Sequence, residues 1–235
     1  MNRNLSTICF VFLVSACEHP LEIIGEGDIV SASGSRDCSL EEQPCPNPVV
    51  NDYLETYDGQ ARDGFEFVGW DGCGTPSGAS CLYDVPASVV NQFWLQTMPP
   101  LVAKFAPNCI NAPASSFAAI QEVIFSRCTG CHGSNGGLSL APATAYANIV
   151  NVDSTQTNLL RIEPGSPETS YLYQKVFEKA NPGSFMIQGE GMPRAGAALS
   201  DDHLEALAIW ITEGAPETGR ANELKEVEQL LGLCD

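Results

Sequence analysis

The segment Cys128-Thr129-Gly130-Cys131-His132 constrains this chain more than any other feature of its sequence. Two thiols three positions apart lie about one helical turn from each other, and an imidazole follows at once. This spacing suits two thioether bonds to the vinyl groups of a haem, with the histidine binding its iron. The sequence therefore predicts one covalent haem c, held by Cys128 and Cys131 and ligated by His132.

Three other interpretations use the same residues. A zinc knuckle needs further ligands nearby, but the other histidines are His19 and His203 and the next cysteine is Cys109. A thioredoxin-like redox pair needs a strand before the motif, whereas the preceding segment has helical spacing. A plain disulfide between the two motif cysteines would leave the adjacent histidine without a role. Haem attachment explains all three side chains together.

An iron that transfers electrons needs a sixth ligand, and a methionine sulfur stabilises its reduced form. Met192 lies in the glycine-rich segment Gly189-Glu190-Gly191-Met192-Pro193, where the proline favours an extended conformation of the residue before it. Met186 is the alternative ligand, although a methionine beside Phe185 is also typical of simple packing. We expect Met192 to be the ligand, with Met186 as the fallback.

The N-terminus has the pattern of an export signal. Arg3 precedes the short apolar run from Ile8 to Val14, which is too short for a stable membrane span. The small residues before Cys17 resemble the lipobox of bacterial lipoproteins, which implies a lipid on Cys17; cleavage after Ala16 without lipidation is the alternative. Glu18 then implies sorting to the outer membrane. We expect a periplasmic, lipid-anchored protein of a Gram-negative bacterium.

Cysteine usage fits export to an oxidising compartment. If Cys9 leaves with the signal, Cys17 takes lipid and two cysteines take haem, six of the ten cysteines remain. An even remainder predicts disulfides, although six cysteines allow many connectivities. Short local loops favour two pairings, and the third would join the ends of the second half: Cys38 with Cys45, Cys73 with Cys81, and Cys109 with Cys234.

The formal net charge of -18 makes nucleic acid an improbable partner. Such a charge favours redox partner proteins with basic docking surfaces, although an acidic solvated surface explains it equally well. The expected partners are therefore redox proteins, together with the membrane through the lipid anchor.

The first half has strand patterns punctuated by turn residues. Alternation occurs in Phe65-Glu66-Phe67-Val68 and Leu101-Val102-Ala103-Lys104-Phe105. Together with Gly25-Glu26-Gly27-Asp28-Ile29-Val30 and Gly64 to Cys73, these segments resemble the divergent B-repeat of internalin type. The resemblance implies a small β-grasp-like sheet with Phe67 and Trp70 in its core, serving as a spacer or a docking surface.

The second half has helical spacing. Ser115 or Ser116 is expected to cap a helix before the motif, Ser200 to cap another that stops at Gly214, and the tail from Ala221 to Leu233 to form a third. The motif segment, Gly136 to Leu140, Arg161 to Leu172, Met192-Pro193 and Leu199 to Ala215 resemble monohaem class I cytochromes c, especially planctomycete-type domains. This resemblance implies His132 and Met192 as axial ligands, Leu138 and Leu140 in the haem pocket, Trp210 near the haem edge, and Arg161 or Arg194 on a propionate.

These observations predict an α+β two-domain chain: a small β-grasp-like β-sheet domain followed by an all-α cytochrome c domain. The predicted ranges are 1–17 for the signal, 18–108 for the β-rich module and 109–235 for the monohaem cytochrome c domain. The first hypothesis for function is electron transfer with no catalytic residue, and hence not an enzyme. The alternatives are a haem enzyme or ligand sensor with an open sixth position, and a surface-binding module with a redox companion domain.

Overall fold

The computed structural model describes residues 18–43, 45–88, 99–133 and 137–234. The chain forms two compact units: one runs up to Arg62 and includes Phe67–Phe105, and the other comprises Asp63–Glu66 and the chain from Ala106 onward. The described strands are β1 (Leu21–Ile24), β2 (Gly27–Ser31), β3 (Tyr53–Ala61), β4 (Phe65–Asp71), β5 (Thr75–Ser77), β6 (Ser80–Val85) and β7 (Leu101–Pro107). The described α-helices are α1 (Ser116–Val123), α2 (Ala145–Ile149), α3 (Tyr171–Ala180), α4 (Asp201–Thr212) and α5 (Glu226–Leu230).

The predicted fold class, a β-grasp-like sheet domain followed by an all-α cytochrome c domain, is wrong. The chain is mixed, with 25% helix and 24% strand, and its strands form two sheets. The helices are few and two of them have five residues each. The domain ranges given above remain a prediction.

Bridged loops, and glycines and prolines, explain why α-helix covers so little of the second unit. Residues 150–170 instead form two isolated β-bridges, Val150 with Ile162 and Asp153 with Leu160. Residues 181–200 contain several glycines and prolines, which disfavour helix interiors because of their backbone freedom or missing N–H. The predicted tail helix is also shorter than 221–233, because the chain reaches Lys225 in a left-handed conformation with φ of 55°.

The first unit contains the paired strands. β2, β3, β6 and β5 form a four-stranded sheet in that order, and β1, β7 and β4 form a three-stranded one. β2 pairs with β3 and β3 with β6 in antiparallel fashion, whereas β1 runs parallel to β7. Alternate residues of β3 and β6 point inward, which buries Tyr57, Tyr83 and Val85.

Aromatic rings fill the core of the first unit where glycines leave room. Phe105 is almost fully buried, and Phe67 lies edge-on to it with ring centroids 5.6 Å apart. A Cβ at Gly27 would lie 2.5 Å from the Phe105 ring, and one at Gly59 would lie 2.5 Å from Phe67. Trp70 packs on the same core. Two glycines of the sheet are therefore required by close packing.

The second unit has one hydrophobic core, centred on Trp210. This indole is fully buried, packs 5.7 Å from the Phe117 ring and donates to the Pro216 carbonyl at 3.0 Å. Ser115 is the N-cap of α1 and accepts from the amide of Ala118. The hydroxyl of Ser200 accepts from His203 N, so Ser200 caps α4 as predicted.

Three disulfides join the six remaining cysteines: Cys38 with Cys45, Cys73 with Cys81, and Cys109 with Cys234. They are the pairings expected from the sequence, two from short local loops and the third from the ends of the second half. Three disulfides are compatible with an oxidising compartment outside the cytoplasm. Among the described residues, no helix is both long and apolar enough to cross a membrane.

We expect the double substitution Cys109→Ala and Cys234→Ala to destabilise the second unit by about 3–5 kcal/mol, because the lost cross-link closes a very long loop. The two cysteines are 125 positions apart. Urea denaturation of the full chain, monitored by the circular-dichroism signal of its α-helices, measures the loss because all described α-helices lie in this unit.

The matched control is Cys38→Ala with Cys45→Ala, which removes a cross-link of the first unit. That variant should leave the helical transition where it is in the unmodified protein. A helical transition that does not move when Cys109 and Cys234 are replaced would contradict the expectation.

Candidate functional site

Helix α1 leads directly into the Cys-X-X-Cys-His turn. After the helix, Phe125–Cys128 continue as a 3-10 turn, and Thr129 keeps helical angles of -61° and -29°. The amide of His132 donates to the carbonyl of Cys128 at 2.8 Å, which closes one helical turn. This turn places the two cysteines on one side of the chain, with the histidine following immediately.

Both thiols of the turn are free, while the other six cysteines of the described chain are in disulfides. Cys131 is exposed, whereas Cys128 is half-buried and packs against the core of the second unit. Burial raises the pKa of the Cys128 thiol, which keeps it protonated at neutral pH. Cys131 is therefore the more accessible thiol of the pair.

The imidazole of His132 is half-buried, and its Nδ1 atom is buried without a hydrogen-bond partner. An imidazole that binds a metal through one nitrogen normally donates its other N–H to a protein acceptor. The donor set of two free thiols and an adjacent imidazole with an unpaired nitrogen fits a covalent haem.

Met192 is held against helix α3 by its own backbone. Its amide donates to the carbonyl of Lys175 at 2.7 Å. The buried ammonium of Lys175 donates in turn to the carbonyls of Gln188, at 2.9 Å, and Glu190. The Tyr171 hydroxyl accepts from the Gln188 amide at 3.1 Å. Four contacts therefore tie residues 188–192, the methionine segment, to helix α3.

Close packing requires the glycine before Met192. A Cβ at Gly191 would lie 2.8 Å from the backbone nitrogen of Lys179 and 2.9 Å from its Cα. The side chain of Met192 is half-buried and packs on the same core as Cys128. Met186 differs, because its side chain is fully exposed.

The predicted pocket residues lie in several settings. Leu140 is buried and Leu138 half-buried, both in the core of the second unit. Arg161 donates to the carbonyls of Asn148 at 2.7 Å and Gly137 at 3.0 Å. Trp210 is fully buried and packs against Phe117 of α1, and its position near a haem edge stays a prediction.

Arg194, the other candidate for a propionate, forms an exposed ion pair with Glu190 at 2.9 Å. Arg161 instead uses its guanidinium to fasten the segment that follows the Cys-X-X-Cys-His turn. The structure therefore gathers Cys128, Leu138, Leu140 and Met192 around one core and leaves Met186 and Arg194 at the surface.

Two supporting residues were missed in the sequence. Gln121 lies on the apolar side of α1, where its Nε2 donates to the Leu140 carbonyl at 3.0 Å. Lys175 is buried on α3 beneath the methionine segment. A polar residue in line with Phe117, Ile120 and Ile124 was the available signal for Gln121. No comparable signal marks Lys175, because its partners are backbone carbonyls.

Some predictions fall outside the described residues. Cys17, the predicted lipidation site, is one of them, and so is the short segment 134–136 after the motif. Within the described ranges, no group of three or more His, Cys, Asp or Glu side chains is arranged to hold a metal ion. No protein-family model, curated protein or solved structure matches the chain.

We expect a mild methionine oxidant such as chloramine-T to convert Met186 to the sulfoxide several-fold faster than Met192, because only Met186 is fully exposed. Peptide mass spectrometry of the native protein measures both rates. Gly191→Ala should raise the rate at Met192, because the added Cβ pushes the segment away from Lys179.

Gly130→Ala is the matched control, since a Cβ there would meet nothing within 4 Å. Equal rates for the two methionines in the native protein would show that Met192 is not held against the core.

Proposed function

We propose that this protein is an exported electron carrier with one covalent haem c, attached through Cys128 and Cys131 and ligated by His132 and Met192. The observation that carries this proposal is the closed helical turn from Cys128 to His132, in which both thiols are free. The proposal concerns this site and does not depend on an all-α fold.

The oxidation states of the cysteines support covalent attachment. Three disulfides show that the remaining cysteines of the described chain do pair. Cys128 and Cys131 lie one turn apart and do not. Two unpaired thiols one turn apart, next to an imidazole, are the set of groups that a c-type haem requires.

The surroundings of the methionines support Met192 as the second ligand. Its segment is fixed by backbone hydrogen bonds to Lys175, and its side chain packs on the core that Cys128 also contacts. A thioether held in this way costs little entropy to bring to the iron. Met186 would have to leave the solvent and order its side chain first.

When bound, the haem supplies one-electron chemistry, and a methionine ligand favours the reduced iron. The chain's own residues hold and shield the group. Leu138 and Leu140 lie in the apolar core that Cys128 also contacts, where they would exclude water from a bound haem and raise its potential further. Arg161 keeps the following segment closed through Gly137 and Asn148. No residue acts as a catalyst under this proposal.

We further propose a lipid on Cys17, which would anchor the protein in the periplasm at the outer membrane. The first unit would then act as a disulfide-closed spacer between the anchor and the haem unit. Its partners would be redox proteins, which the strongly acidic chain would attract through basic surfaces.

We expect the purified protein to carry haem that resists acid-acetone extraction, and Cys128→Ala with Cys131→Ala to abolish this attachment. The ferric spectrum should show the far-red sulfur-to-iron band. Met192→Ala should remove that band because it removes the sulfur ligand, whereas Met186→Ala should retain it. Absorption spectroscopy and intact-protein mass spectrometry measure these outcomes.

His203→Ala is a second control, since His203 is the other histidine of the second unit and half-buried. It should leave the band unchanged. A wild-type spectrum without the band would contradict the methionine ligand, and a protein without covalent haem after expression with a haem-attachment system would contradict the whole proposal.

We expect a clickable fatty acid to label the full-length protein in bacteria and Cys17→Ala to eliminate the label, because the predicted acylation site is this thiol. The membrane fraction should lose the protein in the same variant. Cys9→Ala is the matched control, since Cys9 lies within the predicted signal. An unlabelled soluble wild-type product would contradict the anchor.

A further inference from the structure

Two buried side-chain atoms, one in helix α1 and one in the Cys-X-X-Cys-His turn that follows it, have no hydrogen-bond partner among the described residues. They are Oε1 of Gln121 and Nδ1 of His132. An unpaired buried polar group costs about 1–3 kcal/mol, so most such groups in proteins are paired. One of the two atoms is an obligate acceptor, and the other can carry a proton.

Both residues are hydrogen-bonded to Leu140, Gln121 through its side chain and His132 through its backbone. The Nε2 atom of Gln121 donates to the Leu140 carbonyl at 3.0 Å. The Leu140 amide donates to the His132 carbonyl at 2.7 Å. The nitrogen end of the glutamine amide is therefore engaged, and its oxygen end is the free one. Leu140 is 3% exposed and belongs to the hydrophobic core of the second unit.

Iron ligation decides which nitrogen of His132 carries the proton. When Nε2 binds the metal, the neutral ring keeps its proton on Nδ1, which makes Nδ1 a donor. A donor N–H is the partner that an unpaired amide oxygen lacks. Gln121 and His132 thus complement each other in the state in which the imidazole binds iron.

We propose that Gln121 is a positioning residue for the axial histidine, with its Oε1 accepting a hydrogen bond from Nδ1–H of His132. This inference rests on the proposed function, because it requires iron on the other nitrogen. The bond fixes the tautomer and the plane of the imidazole ring. It also makes the imidazole a stronger electron donor, which favours ferric iron and lowers the reduction potential.

The test compares haem-loaded wild-type protein with Gln121→Leu, Gln121→Glu and Gln174→Leu. Gln121→Leu removes the acceptor, and Gln121→Glu retains an acceptor oxygen at the same place. Gln174 is the matched control because it is equally buried, at 8% exposure, and its Nε2 also donates to a backbone carbonyl, that of Glu168. Two quantities are measured: solvent exchange of the His132 ring N–H in the ferrous protein by nuclear magnetic resonance, and the midpoint potential.

In Gln121→Leu, we expect the ring N–H to exchange roughly two- to tenfold faster, as for the loss of one hydrogen bond. The equilibrium constant for reduction should rise by up to about tenfold, which is about 59 mV for one electron. Gln121→Glu should restore the slow exchange and keep the potential at or below that of the wild type. Gln174→Leu should change neither quantity.

Unchanged exchange and potential in haem-loaded Gln121→Leu would overturn this inference and leave the proposed function standing. The same shift in Gln174→Leu would also overturn it, because the effect would then be one of general destabilisation. A wild-type protein that takes up no covalent haem would overturn the proposed function itself, and with it the role of Gln121.

Discussion

The second unit depends on satisfying backbone amides and carbonyls in long segments that contain no α-helix and no extended strand. In a helix or sheet these groups pair with one another. Residues 150–170 and 181–200, however, contain no α-helix. Polar side chains also donate to backbone carbonyls near the candidate site. Lys175 donates to the methionine segment, Gln121 donates to the Leu140 carbonyl, and Arg161 donates to the carbonyls of Gly137 and Asn148. Each of these polar side chains fixes a piece of chain near the candidate site.

This constraint also explains what could be predicted from the sequence. Local signals were sufficient for helix starts, because the cap residues Ser115 and Ser200 lie within three positions of the amides that they accept from. The disulfide pairings followed from loop length and from the ends of the second half. The Cys-X-X-Cys-His turn is likewise local, since its closing bond joins residues four positions apart.

The fold class could not be predicted in the same way, because it depends on contacts between distant segments. The apolar spacing of α1 and α4 indicated helices, and we extended that character to the whole second half. Gly183, Gly189 and Gly196 all have positive φ values, and each interrupts regular structure where the family resemblance implied an all-α domain. The partners of Lys175 and Gln121 are backbone carbonyls 13 to 19 positions away, which no periodicity marks.

The C-terminal end of the chain is secured by polar and covalent contacts that act together. Glu228 of α5 is fully buried and accepts from the Ser116 hydroxyl at 2.7 Å, at the start of α1. The same carboxylate lies 2.9 Å from the Arg220 guanidinium, so its charge is compensated. The Cys109 to Cys234 disulfide then closes the segment that contains α1 and the candidate site. Because the helix that delivers Cys128 begins at this closure, the position of the thiols depends on contacts more than a hundred residues away in sequence. Since Cys131 is exposed and Cys128 is only half-buried, the remote contacts that hold the leading helix in place also help to fix the geometry of this turn.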